Sequence, residues 1–148
     1  MQILLSNIKV AGVYLTISLL YVPVVTWLWN RLEAAGEINA YPIAVSLSVL
    51  ALVLYFLAGR YVLRSTGTKL GDIFSFSAVA AIYLIGPFTL LDDAIGFLYS
   101  PHILSLIAFE TNLNQSIVLG VALAFITSST AVFAGIITRS RVLRGITD

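Results

Sequence analysis

The sequence predicts an all-α integral membrane protein, a four-transmembrane-helix bundle with a short interfacial or re-entrant helix between spans 3 and 4. Three observations support this prediction. The chain has 148 residues, of which 59% are hydrophobic and only 10% charged, whereas a soluble domain is nearer half apolar and a quarter charged. Four stretches are long and apolar enough to cross a bilayer. The net charge also alternates in sign from one connection to the next. This composition excludes an ordinary soluble enzyme, a disordered segment and a free-standing nucleic-acid binder.

The spans follow from the length of helix that a bilayer requires, since a core of about 30 Å takes roughly 20 apolar residues. We expect a single membrane domain, residues 1–148, with spans at about residues 9–29, 41–61, 73–91 and 116–138. Pro42 suits the first turn of the second helix, and Asp72 is a candidate N-cap for the third. Pro23 and Pro87 predict kinks in the first and third spans. The apolar runs are continuous, which argues against the alternating strands of a barrel.

The distribution of charge predicts the orientation. If both termini are cytoplasmic, seven of the eight Lys and Arg residues lie on the cytoplasmic side, and only Arg31 lies outside. This is the positive-inside pattern. Trp27 and Trp29 then fall at the outer interface, where amphipathic rings are favoured. We therefore expect a multi-pass protein of the plasma membrane with cytoplasmic N- and C-termini.

The connection between the third and fourth spans is the least regular part of the sequence. Sixteen uncharged residues separate Asp93 from Glu110, interrupted by Gly96 and Pro101. A fifth crossing there would place the arginine-rich tail outside, against the charge rule. We expect a short helix at residues 101–110 that either lies in the outer interface or dips into the membrane. The surface position is favoured, because backbone at membrane depth needs protein cover.

Two spans carry small residues at helical spacing, a pattern that lets helices approach closely in lipid. These helix-packing candidates are Gly120, Ala124, Ser128, Ala131 and Gly135 in the fourth span and Ala44, Ser48, Ala51 and Ala58 in the second. We expect both faces in helix–helix interfaces within the monomer, with a dimer seam as the alternative. Residues 127–130 are all Ser or Thr. Such hydroxyls usually bond to the carbonyl one turn earlier, and a hydrophilic pathway is the alternative.

Residues that could act in catalysis or bind a metal ion are sparse in this sequence. The central part of each predicted span lacks Asp, Glu, Lys, Arg and His, whereas a proton-coupled carrier normally has a carboxylate near the midplane. The chain has no Cys, which excludes thiolate chemistry. The candidate catalytic residues are Asp92, Asp93 and His102, which together with Glu110 could bind a divalent ion or act on a lipid headgroup. Their spacing matches no metal signature. The favoured interpretation is that Asp92 and Asp93 end the third span and that His102 faces the lipid headgroups. We expect no metal site and no cofactor.

A basic collar is predicted at the cytoplasmic side. Its members, the headgroup-binding candidates, are Arg60, Arg64, Lys69, Arg139, Arg141 and Arg144. A cation near an anionic leaflet gains about 1 kcal/mol of attraction. The collar is therefore a candidate phospholipid site, although the topology alone accounts for it.

Three classes of function remain, in the order in which the sequence favours them. The first is a non-enzymatic membrane protein that acts by helix–helix contact as an accessory, assembly, immunity or regulatory subunit. The second is a homo-oligomeric small channel or transporter, with the hydroxyl face of the fourth span lining a path. The third is a membrane-embedded enzyme acting on lipid at the outer interface. Expected partners are the lipid bilayer and either another membrane protein or a second copy of this chain, and not nucleic acid.

Overall fold

The computed structural model describes residues 2–34, 40–85 and 116–144, and the secondary structure within these ranges is all α-helical. The helices are α1 (Gln2–Ala34), α2 (Ala40–Tyr61), α3 (Lys69–Phe74), α4 (Ser77–Ile85) and α5 (Ser116–Arg144). The all-α class is thereby confirmed for these ranges. Two segments are long and apolar enough to cross a membrane, Gln2–Leu28 and Val121–Arg139. Val45–Tyr61 is a shorter apolar helix. The predicted helix at residues 101–110 lies outside the described residues.

Helix α1 begins earlier than the predicted start at residue 9. It has 33 residues, which at 1.5 Å per residue amounts to about 50 Å. Lys9, the charged residue at the predicted start of the span, lies exposed on the surface of the continuous helix. The aliphatic stem of a lysine can lie along apolar surface while the ammonium group reaches polar surroundings. A single lysine therefore does not end the helix.

The third predicted span differs most from the structure. A continuous helix from residue 73 was expected, but α3 ends at Phe74 and α4 begins at Ser77. Asp72 is not an N-cap, because it lies inside α3. Thr68 caps α3 instead, its Oγ1 accepting a hydrogen bond from the Gly71 backbone N–H at 3.1 Å. The rest of the predicted span, residues 86–91 with Pro87, lies outside the described residues.

The bundle has an interior rich in hydroxyl groups and an apolar exterior. Helices α2 and α5 form the most extensive contact, α1 packs on α2, α3 and α4, and α4 packs on α5. Tyr14, Tyr55 and Tyr83 are among the largest fully buried side chains. In contrast, Leu19 and Leu20 on α1 are 55% and 63% exposed. The exposed face of a soluble amphipathic helix is polar, so the exterior of this bundle differs from that of a soluble protein.

Candidate functional site

The hydroxyl cluster lies where α1, α2, α4 and α5 meet. The Tyr14 hydroxyl donates to Ser128 Oγ at 2.9 Å and is 3.3 Å from Ser129 Oγ. Ser128 Oγ in turn donates to the Ala124 carbonyl oxygen at 2.7 Å. Tyr14 is 1% exposed and Ser128 0%. A directed chain of hydrogen bonds therefore runs from the first helix into the backbone of the last.

Aromatic rings fill the space around this chain of hydrogen bonds. The Tyr14 ring lies 4.7 Å from that of Tyr55, between centroids, and 6.1 Å from that of Tyr83 in a T-shaped arrangement. The rings of Tyr83 and Phe125 are 5.9 Å apart. Ser18, one turn after Tyr14, is fully buried. The hydroxyl cluster has six members: Tyr14, Ser18, Tyr55, Tyr83, Ser128 and Ser129.

Tyr and Ser hydroxyls are neutral near pH 7, so the cluster supplies hydrogen bonds and no formal charge. Such groups can hold helices in register, because a buried donor without a partner costs free energy. Sequence reasoning missed the tyrosines, which it had counted among apolar residues. The available signal was that tyrosine hydroxyls buried in a bundle usually find a polar partner.

The hydroxyl run at residues 127–130 divides between two faces of α5. Thr127 Oγ1 donates to the Leu123 carbonyl at 2.8 Å, and Thr130 Oγ1 donates to the Ile126 carbonyl at 2.7 Å. Both threonines are exposed, whereas Ser128 is buried. The expected bonding to the preceding turn is thus confirmed for these three residues.

The contact between α2 and α5 brings two backbones together. A Cβ atom on Gly135 would overlap the Phe56 carbonyl oxygen, and a Cβ on Gly59 would overlap the Val132 carbonyl oxygen. Among the other predicted packing residues, Ala51, Ala124 and Ser128 are buried, whereas Ser48, Ala58 and Ala131 are partly buried. The surroundings of Ala44 and Gly120 lie outside the described residues.

Gly59 was missed as a packing residue. It lies on a buried face of α2 with Ala51 and Tyr55, at spacings of four residues. The bulky Tyr55 interrupts the small-residue pattern on this face, which is why the spacing was not recognised. A search for Gly four residues away from any residue of a type that is usually buried would have found Gly59.

The basic collar separates into residues with different surroundings. Arg139 Nη1 lies 3.3–3.5 Å from the carbonyl oxygens of Arg60, Tyr61 and Leu63, at the end of α2. A cation at this position complements the negative end of the helix dipole. The Arg60 guanidinium lies 5.5 Å from the centroid of the Tyr61 ring. Arg64 is exposed on the connection that follows.

The remaining collar residues lie at the start of α3 and at the end of α5. Lys69 is exposed at the first position of α3. Arg141 and Arg144 lie in the last turns of α5, and their side chains lie outside the described residues.

Asn7 joins three helices and was also missed. Its Nδ2 donates to the Phe74 carbonyl at 3.0 Å, at the end of α3. Its Oδ1 accepts from the Ala78 backbone N–H at 3.0 Å and is 3.2 Å from Ser77 Oγ, in the first turn of α4. One side chain of α1 thus caps both sides of the break between α3 and α4. The available signal was an amide within an apolar helix, a residue type that readily forms hydrogen bonds between helices in membranes.

No protein-family model, curated protein or solved structure matches this chain. The residues of this chain itself are therefore the basis for proposing its function. Among the residues that the structure describes, no three Asp, Glu, His or Cys side chains are grouped as metal ligands. Asp92, Asp93, His102 and Glu110 all lie outside the described residues.

Proposed function

We propose that the protein is a four-span membrane protein that acts by helix–helix contact, as an accessory, assembly, immunity or regulatory subunit of a membrane complex. The observation that supports this most is the closed interior of the described bundle. Tyr14, Tyr55 and Tyr83 fill its centre, and the Tyr14 hydroxyl bonds to α5. A solute path along this axis would require the rings to separate. Activity is therefore assigned to the outer surface.

The outer surface is suited to lipid and to other helices. Leu15, Leu19 and Leu20 on α1, with Leu123 and Ile126 on α5, are large, apolar and exposed. Lipid tails are as apolar as leucine, so a partner helix gains affinity through shape and polar contacts rather than apolar burial alone. The proposed location is the plasma membrane with both termini cytoplasmic. A reporter fused after Asp148 should then be cytoplasmic, and one inserted at residues 33–39 should be external.

The contact function is tested by extraction into nanodiscs followed by native mass spectrometry, combined with photo-crosslinking in the native membrane. A crosslinking residue placed at exposed Leu19 or Ile126 should yield one protein adduct of defined mass from at least one helix face. The same residue at buried Ile17 serves as the control and should yield intramolecular products. A monomer in nanodiscs, with lipid adducts alone at every exposed position, would contradict the proposal.

A homo-oligomeric channel or transporter is the second candidate, and one observation favours it. Thr127 and Thr130 are exposed on the same side of α5, where a second copy could bring their hydroxyl faces together. Native mass spectrometry should then show a symmetric oligomer, and solute flux into proteoliposomes should fall in the Thr127→Val/Thr130→Val variant. The third candidate is an enzyme acting on lipid at the outer interface. It predicts loss of function when Asp92, Asp93 and His102 are all replaced by Ala.

A further inference from the structure

A cleft of about 190 Å³ lies between the start of α1 and the chain that follows α2. One wall comes from Gln2, Leu5, Ser6 and Lys9, whose spacing places them on one face of α1. The other wall is formed by residues 63–66. The cleft is distinct from the hydroxyl cluster. It lies at the end of the bundle that carries Arg64, between α2 and α3, and Lys69, at the start of α3.

The lining of the cleft is cationic. Lys9 and Arg64 both line it, and none of its eight described lining residues is acidic. Gln2 and Ser6 add neutral donors. The arginine fork and the ammonium group are the side chains that most often bind phosphate oxygens. The lining therefore fits a phosphate-bearing anion.

The wall at residues 63–66 is held by an acid located behind it. Asp72 Oδ2 accepts from Ser65 Oγ at 2.7 Å, and Asp72 Oδ1 accepts from the Thr66 backbone N–H at 2.6 Å and from Thr66 Oγ1 at 2.9 Å. This carboxylate fixes the loop that presents Arg64. Because both of its oxygens already accept hydrogen bonds from the loop, the carboxylate serves the wall rather than the ligand.

Arg64 differs from its basic neighbours. The Arg139 guanidinium contacts the carbonyls at the end of α2, and the Arg60 guanidinium lies by the Tyr61 ring. Lys69 is exposed but does not line the cleft. Of the described collar residues, Arg64 is thus the member presented to the cleft, and its cationic companion there is Lys9, which is not a collar residue.

Exposed apolar side chains beside the cleft indicate an amphiphile rather than a soluble anion. Leu4, Leu5 and Ile8 are exposed on α1. Leu70, Ile73 and Phe74 are exposed on α3, at the i, i+3, i+4 spacing of one helix face. Helix α3 lies against α1, since Asn7 binds the Phe74 carbonyl. An acyl chain has apolar surface available on both helices.

We propose that this cleft binds the phosphate group of an anionic phospholipid between Lys9 and Arg64, with the acyl chains along the exposed apolar residues of α1 and α3. The inference rests on the membrane placement proposed above but not on a protein partner. The test therefore uses the purified full chain without any partner, so that lipid binding and the contact function can fail independently.

The test measures the lipid that remains bound to the purified chain. The full chain is reconstituted in phosphatidylcholine nanodiscs containing phosphatidylglycerol as the minority lipid, and retained lipid is quantified by native mass spectrometry after release. Lys9→Gln and Arg64→Gln should each lower phosphatidylglycerol retention about fivefold. Lys69→Gln removes an equal charge outside the cleft, and Arg31→Gln removes one from the other end of α1. Both should retain phosphatidylglycerol as the unaltered chain does.

Several outcomes distinguish the sources of the anion. Lys9→Arg and Arg64→Lys should keep most of the binding, which separates loss of charge from loss of folding. Equal loss in all four glutamine variants would mean that only general surface charge attracts the lipid, and would overturn the proposal. Retention of the two lipids in proportion to their shares of the nanodisc would overturn it as well. So would displacement of the lipid by inorganic phosphate as effective as displacement by phosphatidylglycerol, because the cleft would then be a site for a soluble anion.

Discussion

Helices α2 and α5 are held together differently from the way α1 is held to the rest of the bundle. Between α2 and α5 the backbones touch, with Gly135 against the Phe56 carbonyl and Gly59 against that of Val132. Helix α1 contributes the apolar residues Val10, Val13 and Ile17 to the buried core, and it is also attached by separate polar side chains. Besides the bond from Tyr14 to Ser128, the Tyr21 hydroxyl donates to the Leu47 carbonyl at 2.7 Å.

In the membrane location proposed above, the difference corresponds to the two ways in which helices associate. Burying leucine gains little there, so association relies on close van der Waals packing or on hydrogen bonds between helices. A backbone contact tolerates no added volume, because neither backbone can move without disturbing its own helix. A set of side-chain hydrogen bonds can lose one member and keep the others. The α2–α5 contact should therefore be the more sensitive to added volume, and the attachment of α1 the more sensitive to the loss of hydrogen-bonding groups.

The largest expected effect comes from Gly135→Leu. The new side chain would meet the backbone of α2 at Phe56 and Arg60, and overpacking of this kind costs about 3 kcal/mol. The matched control is Gly12→Leu, since a Cβ on Gly12 has no atom within 4 Å. Unfolding free energies from SDS titration in mixed micelles measure both. Equal stability of the two variants would show that α2 and α5 can separate without cost, and would remove the distinction between the two contacts.

Sequence reasoning reached one of these contacts more readily than the other. Small-residue spacing in the fourth span pointed to Ala124 and Gly135, because close approach leaves a local signature in composition. The helical class followed from apolar length. The break after Phe74 lies within an uncharged run that was assigned to one span, although Ser75 and Ser77 beside it are residues that favour helix ends. Its cap, Asn7, lies 67 residues away, and a tertiary hydrogen bond of this kind overrides local propensity.

The hydrogen-bond partners of the buried hydroxyl groups are the part of the candidate site that a single sequence does not reveal. The Tyr14 hydroxyl can be expected to need a polar partner, but its bond to Ser128 joins residues 114 positions apart. The division of the hydroxyl run into two faces follows from helical geometry and could have been predicted. Which face is buried depends on the packing of α5 against its neighbours, and that information is distributed over the whole bundle.

Asn7→Ala should have the next largest effect. It tests whether the attachment of α1 depends on hydrogen bonds from its side chains. The change removes the cap from both α3 and α4, and loss of a helix cap costs about 1 kcal/mol. Hydrogen–deuterium exchange at the Ala78 amide should increase along with the fall in unfolding free energy.

The control for this cap is Thr16→Ala. Thr16 is exposed on the same helix, and its Oγ1 donates to the Gly12 carbonyl at 2.8 Å within α1. Its removal should leave both quantities unchanged. If Thr16→Ala were as destabilising as Asn7→Ala, the effect would belong to α1 itself rather than to its contact with α3 and α4.

Tyr14→Phe should cost less, about 0.6 kcal/mol, the average for a hydrogen bond between membrane helices. Ser128 keeps its own acceptor at the Ala124 carbonyl, so the substitution leaves one lone pair of Ser128 Oγ unused, and it also removes the 3.3 Å contact with Ser129 Oγ. A double-mutant cycle with Ser128→Ala isolates the pair, and the coupling energy should be positive and of that size. Tyr61→Phe, at an exposed tyrosine, is the control. A coupling energy of zero would mean that ring packing alone holds Tyr14.

Arg139→Gln should have the smallest effect, about 0.5 kcal/mol, typical of a cation at a helix C-terminus. The distances from Arg139 Nη1 to the three carbonyl oxygens, 3.3–3.5 Å, are long for hydrogen bonds, so attraction between the charge and the helix dipole should provide most of the stabilisation. Arg139→Lys keeps the charge and should retain most of the stability, and added salt should reduce the difference between Lys and Gln. Arg64→Gln, at an exposed cation of the same end, is the comparison and should leave unfolding unchanged. If Arg139→Lys were instead as destabilising as Arg139→Gln at every salt concentration, the guanidinium geometry would be decisive. The α2–α5 pair would then depend on a specific side-chain bond at its end, and the contrast with α1 would hold only for the segment around Gly59 and Gly135.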